Sequence, residues 1–278
     1  MQQKYYITND GISHNEMLGS QTFNYFALYA ISKKTGHEVA ISTAPHLHQG
    51  LLPQCFDLPF SLFPQDAPYE IYNSSLCHVP VIEKELFNLN PNKNYIINAR
   101  MDFSYVYWGK LLEELKSIFK IKQIFLEEAK NIIQNINKPL ACFNFRRGVY
   151  SFYMDNYMGY YKKALELIPS DAVILVMSDD FEWVNNSPDL LNLLEGREII
   201  KANYKDYVQL SLITMSDYNV ICPSSFPLLG HVLSKPSQTA IFPNFYNTSL
   251  YHLTSGFQKV VDEVFPNFVQ IKNWENYI

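Results

Sequence analysis

Apolar positions change their spacing several times along the chain, and each change marks an element. In 17–34, MLGSQTFNYFALYAISKK, Phe23, Phe26, Ala27, Ala30 and Ile31 recur at steps of three and four, which predicts a helix. Gly36 suits its stop, and Val39, Ala40 and Ile41 suit a short strand behind it. YIINA at 95–99 reads as another strand. Leu111, Leu112, Leu115 and Phe119 carry helical spacing across 105–119, and a second helix covers 123–136. Lys138 precedes a proline and is pushed out of helical geometry. The boundary is placed there, giving domains 1–136 and 137–278.

The second half is more regular. LACFNF (140–145) reads as a strand and MGYYKKALELI (158–168) as a helix. AVILVM (172–177) is apolar throughout, as a strand covered on both faces must be. Helical pieces follow at 180–194, then a strand at 198–202, a helix at 205–216, a strand at 218–223, a helix from 224 to 234 and a last strand at 239–243. Strands alternating with helices imply an α/β fold with a parallel sheet and helices on both faces. The first half repeats the alternation less cleanly.

Composition narrows the class. The 278 residues fit two domains of roughly 130 each, and 47% hydrophobic with 15% aromatic residues supplies two cores. The net charge of −5 disfavours a general nucleic-acid binder, which needs basic excess, but leaves a small anionic ligand open. No apolar run approaches the roughly 18–20 residues of a membrane span, and MQQKYYITNDG lacks the apolar core of a secretory signal. The expected location is the cytoplasm, with peripheral contact at the inner membrane face left open by the aromatic content. Cys55, Cys77, Cys142 and Cys222 are widely spaced, and the last two lie in apolar runs that suit buried thiols. The N-x-S/T triplets at Asn73 and Asn247 carry no meaning in a cytosolic chain.

In an open parallel sheet, ligands sit at the carboxyl ends of the strands. After 140–145 come Arg146, Arg147 and Gly148; after 172–177 come Ser178, Asp179 and Asp180; after the 218–222 strand come Pro223, Ser224 and Ser225, opening a helix. Two cations, two carboxylates and two hydroxyls beside helix amides suit a sugar nucleotide. Arginine forks bind a pyrophosphate, helix amides add donors to phosphate oxygens, and a carboxylate accepts from a base or ribose. Each group also has a plain structural use. An arginine can pair with a nearby carboxylate, and Asp179, Asp180, Ser224 and Ser225 are all natural helix caps.

Other groups carry less. His46 and His48 form an H-x-H without a third ligand at recognisable spacing. His14 and Glu16 precede the first helix in a polar loop, and Tyr150, Phe152, Tyr153, Tyr157, Tyr160 and Tyr161 form an aromatic cluster expected mostly in the core. G-x-G-x-x-G, P-loop and G-x-S-x-G motifs are absent, which counts against nicotinamide oxidoreductases, ordinary ATPases and serine hydrolases.

Four segments in order resemble the bacterial α-1,2-fucosyltransferases. LGSQTFNYFALYAISKKTGHEV keeps Leu18, Gly19, Gln21, Phe23 and Tyr25 of that family's opening motif. NFRRGVY (144–150) is similar to its H-x-R-R-G-D-Y, and SDDFEW (178–183) to its S-D-D-x-x-W. KDYVQLSLITMSDYNVICPSSFPLLG resembles the helix and N-S-S-F-S-W-W-G that follow. The resemblance implies a GT-B architecture, two Rossmann-like domains with a cleft between them. It implies an inverting, metal-independent fucosyl transfer from GDP-fucose to a glycan or glycolipid acceptor in surface polysaccharide or lipopolysaccharide synthesis, with no bound cofactor.

On that resemblance Arg146 and Arg147 hold the donor diphosphate and act catalytically. Asp179 or Asp180 addresses the guanine, and Ser224, Ser225 and Phe226 lie near the phosphates or sugar. Asn144, Gly19 and Gln21 complete the expected donor set. The chain departs from the pattern at Asn144, where the family has histidine, and at Val149, where it has aspartate. Met17, Ser20, Pro227, Leu228 and Leu229 also replace motif residues. Two alternatives therefore stay open: a catalytically impaired binding subunit, and a branch using another nucleotide sugar. His14, Glu16 and Asp155 are candidate bases by position.

Overall fold

The structure is a computed structural model that describes residues 3–9, 17–41, 51–64, 66–77, 83–101, 103–147, 157–246, 248 and 251–274. It divides into two compact units, Met1–Lys122 and Gln123–Ile278.

The first unit contains β1 (Tyr6–Asn9), α1 (Leu18–Thr35), β2 (Glu38–Ile41), α2 (Leu51–Cys55), β3 (Ser61–Leu62), β4 (Tyr69–Cys77), β5 (Asn94–Arg100), α3 (Tyr105–Trp108) and α4 (Leu112–Ile118). Its five strands run parallel in the order β3-β2-β1-β5-β4. Helix α1 is buried over most of its circumference, which explains why its apolar spacing is broad. It ends at Gly36, whose φ of 79° is left-handed backbone that glycine adopts without a Cβ clash. The single helix expected over 105–119 is broken by a 3₁₀ turn at Gly109–Leu111. Trp108 is fully buried against Phe23, 5.1 Å between ring centroids, and the glycine after it is a poor helix former.

The second unit contains α5 (Gln123–Ile133), β6 (Leu140–Phe145), α6 (Met158–Glu166), β7 (Val173–Ser178), α7 (Phe181–Asn186), α8 (Pro188–Leu193), β8 (Ile199–Lys201), α9 (Asp206–Met215), β9 (Tyr218–Val220), α10 (Ser225–Val232), β10 (Thr239–Pro243), α11 (Tyr251–Val264) and β11 (Val269–Ile271). All six strands pair in parallel, ordered β11-β10-β9-β6-β7-β8. Counted from β6 this is the doubly wound 3-2-1-4-5-6 order, and the order reverses between β6 and β9. The fold class read from the alternation is the one observed: two parallel sheets, each carrying helices.

Several elements differ from the sequence reading. The strand at 239–243 is not the last: β11 pairs with β10 beyond it, Ile241 opposite Val269. Strands β1, β3 and β4 and helices α2 and α11 carried no expectation. The contact division falls at Lys122/Gln123 and not at the proline-marked 136/137. Helix α5 joins the second unit because Ala129, Phe125, Ile132 and Ile133 pack into one cluster with Leu175, Met177, Val208 and Leu212.

Candidate functional site

The switch between β6 and β9 comes first, because helices leaving the two strands depart to opposite faces and open a crevice at the strand ends. Every residue of β6 is buried, so its side chains alternate between two apolar layers. Tyr161 fixes the end of β6 by donating its hydroxyl to the Asn144 carbonyl at 2.6 Å. Tyr160 ties the neighbouring strands, its hydroxyl 2.9 and 2.8 Å from the carbonyl oxygens of Ile221 and Ile241. Both rings, with Tyr157, lie in the core as expected. Tyr150, Phe152 and Tyr153 fall outside the described residues, as do His14, Glu16, His46, His48, Val149 and Asp155.

Beyond Phe145 the chain presents Arg146 and Arg147 to the segment that follows β7. The Arg146 Nη1 meets Asp179 Oδ2 at 2.7 Å, both side chains about a quarter to a third exposed. Asp179 Oδ1 accepts from the Arg147 backbone N–H at 2.6 Å. The Arg147 guanidinium lies over the Trp183 ring, 4.5 Å from its centroid. Phe145 lies beside the same indole at 5.6 Å. The three segments NFRR, SDD and W183 thus converge on one strand-end corner.

Asp180 is the N-cap of α7, accepting from the Trp183 N–H at 2.8 Å, and its own N–H donates to Ser178 Oγ at 3.0 Å. This is a capping role, so the structure gives Asp180 no observed tie to the arginines. Asn144 is turned inward, 4% exposed. Its Nδ2 donates to Asn219 Oδ1 at 2.9 Å and to the Val220 carbonyl at 3.1 Å. Asn219 in turn donates to the Pro227 carbonyl at 3.0 Å, which links β6 through β9 to the first turn of α10. The structure therefore gives Asn144 an internal bridge where a donor-facing role was expected. Sequence reasoning missed Asn219; a polar residue in the middle of YNVIC was its one visible sign.

Ser224 holds extended backbone at the N-cap of α10, and no side-chain cap bond from it is present. Ser224 and Ser225 are half-buried at the switch point, on the β9 side. Phe226, partly buried, packs against the α5–α9 apolar cluster. Cys222 sits just before this turn, 2% exposed. Burial pushes its thiol up to about 12, even though the nearby Arg146 charge acts the other way. Gly19 and Gln21 are buried in the first turn of α1 in the first unit, and the Gln21 N–H closes that turn on the Met17 carbonyl at 3.0 Å.

Solved structures decide the architecture. One is NodZ α-1,6-fucosyltransferase soaked with GDP-fucose: TM-score 0.58, 8% identity, over 89% of this chain and 97% of that one. Another is POFUT1 in complex with GDP-fucose: TM-score 0.58, 11% identity, over 86% of this chain and 98% of that one. The fold is that of the GT-B fucosyltransferases. A mutant of Arabidopsis thaliana FUT1 in complex with GDP matches at TM-score 0.50 and 13% identity, over 83% of this chain and 69% of that one. No family model matches the sequence. No curated protein matches it either. The Arg146–Asp179 corner lies at the carboxyl ends of β6 and β7, beside the switch between β6 and β9. Among the described residues, no helix is long and apolar enough to cross a membrane.

Proposed function

We propose that the protein is a glycosyltransferase that takes GDP-fucose as donor, with the second unit holding the nucleotide and the first shaping the acceptor side. The observation that carries the reading is that Arg146 and Arg147 follow β6, and Ser224 and Ser225 follow β9, the two neighbouring strands of the switch point. As the glycosidic bond breaks, the leaving diphosphate gains charge. Guanidinium groups fixed in advance offset that charge at the moment it develops. Solved GT-B neighbours with GDP-fucose bound support guanine as the base. The α-1,2 linkage, inversion without a metal and the polysaccharide acceptor rest on the sequence motifs, and the cytoplasmic location on the apolar pattern of the sequence. A reading as a non-transferring binding subunit draws on Asn144, whose amide is committed to β9.

Thermal shift and calorimetry with GDP, UDP and CDP test the donor. GDP at a hundred times its dissociation constant stabilises by about 2.7 kcal/mol, and UDP and CDP give no comparable shift. Arg147→Ala weakens GDP by about tenfold or more, the worth of a charged hydrogen bond. No response to any nucleotide sinks the proposal. GDP-fucose hydrolysis over a long incubation separates the two readings: GDP release marks a transferase, and tight binding without release marks the binding subunit.

A further inference from the structure

The segment between β7 and α7 does something the strand-end inventory does not explain. Asp179 is engaged through both carboxylate oxygens, Oδ2 on the Arg146 side chain and Oδ1 on the Arg147 backbone. Asp180 is engaged as a helix cap on Trp183. Trp183, fixed by that cap and flanked by Phe145, lies under the Arg147 guanidinium. Asp179 and Trp183 therefore both end on these two arginines, and Asp180 acts on them only through its cap on Trp183.

We propose that Asp179 and Trp183 are positioning residues that hold Arg146 and Arg147 for a diphosphate, and that Asp179 does not read the nucleotide base. The inference rests on the proposed donor site and deepens it. An arginine side chain has many rotamers, and ordering it at the moment of binding weakens the complex. Here the two guanidinium groups are ordered by different means. A carboxylate holds Arg146 through Nη1 and leaves the other four N–H donors of its fork to serve the ligand geometrically. A neutral indole lies under the Arg147 guanidinium and restricts it by a cation–π contact.

Calorimetry with guanosine, GDP and inosine diphosphate separates positioning from base reading, because inosine lacks the exocyclic amine that a carboxylate would accept from. Asp179→Asn and Trp183→Leu each weaken GDP and inosine diphosphate in the same proportion, about tenfold or more, and leave guanosine within about twofold. Trp183→Phe restores most of the loss, since a phenyl face keeps the cation–π contact. A change in the GDP to inosine diphosphate ratio in Asp179→Asn, or an equal loss for guanosine, overturns the inference. Arginine side-chain NMR of the nucleotide-free protein gives an independent reading. The Arg147 Nε–Hε resonance is ring-current shifted in the wild type and moves toward the solvent-exposed position in Trp183→Leu. A resonance indifferent to that substitution overturns positioning even where Asp179→Asn fails to fold. Absence of all nucleotide binding by the wild type refutes the donor reading alone, and the arginine spectra then still decide this one.

Discussion

Cys142 and Cys222 lie in neighbouring parts of the second sheet, one inside β6 and one just past β9, and both are buried free thiols. Burial pushes each from an ordinary 9.0 up to about 12, with Ser216 opposing the shift weakly at Cys142. Three pH units mean about a thousandfold less thiolate near pH 8, and the thiolate is the reactive species. In the native protein at pH 8, iodoacetamide labels neither residue, whereas both are alkylated in urea; peptide mass spectrometry reads the two states. The same shift sets a sign for stability. The folded state keeps these protons where the unfolded chain releases them, so the contribution is complete below pH 9 and is lost as pH rises toward 12. Buried Tyr160 and Tyr161, also pushed well above the ordinary tyrosine value, add to the loss in the same direction. The urea midpoint therefore falls between pH 8 and pH 11.

Helices α9 and α10 approach each other closely at Gly230. A Cβ on Gly230 would stand 2.3 Å from Ile213 Cγ2 and 2.8 Å from its Cβ, inside any real contact distance. Gly230→Ala must push the helices apart and costs about 1–3 kcal/mol. Urea denaturation shows the loss, and it shrinks in an Ile213→Ala background, where the Cγ2 and Cδ1 obstacles are gone. Because Ser224 and Ser225 open α10, the same variant lowers GDP affinity if the helix start belongs to the donor site.

These elements also show what a sequence discloses. The apolar runs of β6 and β7 are buried on both faces, so local pattern and final environment agree, and their bounds are readable to within a residue. Strand β4 is an edge with Tyr69 and Ile71 exposed, so no burial alternation marks YEIYNSSLC. Strand β11 is three residues long and derives its existence from pairing with β10. At the site, the positions of Arg146, Arg147, Asp179 and Ser224 at strand ends were legible from strand periodicity alone. Their partners were not. Whether an Asp pairs across strands, as Asp179 does, or caps its own helix, as Asp180 does, depends on register between chains of atoms far apart in sequence. Asn144 and Asn219 are 75 residues apart and bond only because β6 lies beside β9.

At the scale of the whole chain, the decisive question is which unit owns the helix between them. Pro139 is a strong local punctuation mark, and α5 ends at Ile133, ahead of it. Yet punctuation reports where a helix stops, not what its apolar face covers. Helix α5 places Phe125, Ala129, Ile132 and Ile133 against Val208, Leu212 and Ile213 of α9 and against Leu175 and Met177 of β7. A fragment starting at 137 would leave that face of the second unit bare, and burying even a few aliphatic side chains is worth about 1.5–3 kcal/mol each. Marginal domain stability is of the same order as that sum. Expressed separately, 123–278 therefore unfolds cooperatively in urea with a single fluorescence transition. The 137–278 fragment has a markedly lower midpoint, binds a hydrophobic dye in buffer and aggregates on warming. Equal midpoints for the two fragments would mean that α5 contributes nothing to the second core and that the unit begins after the proline.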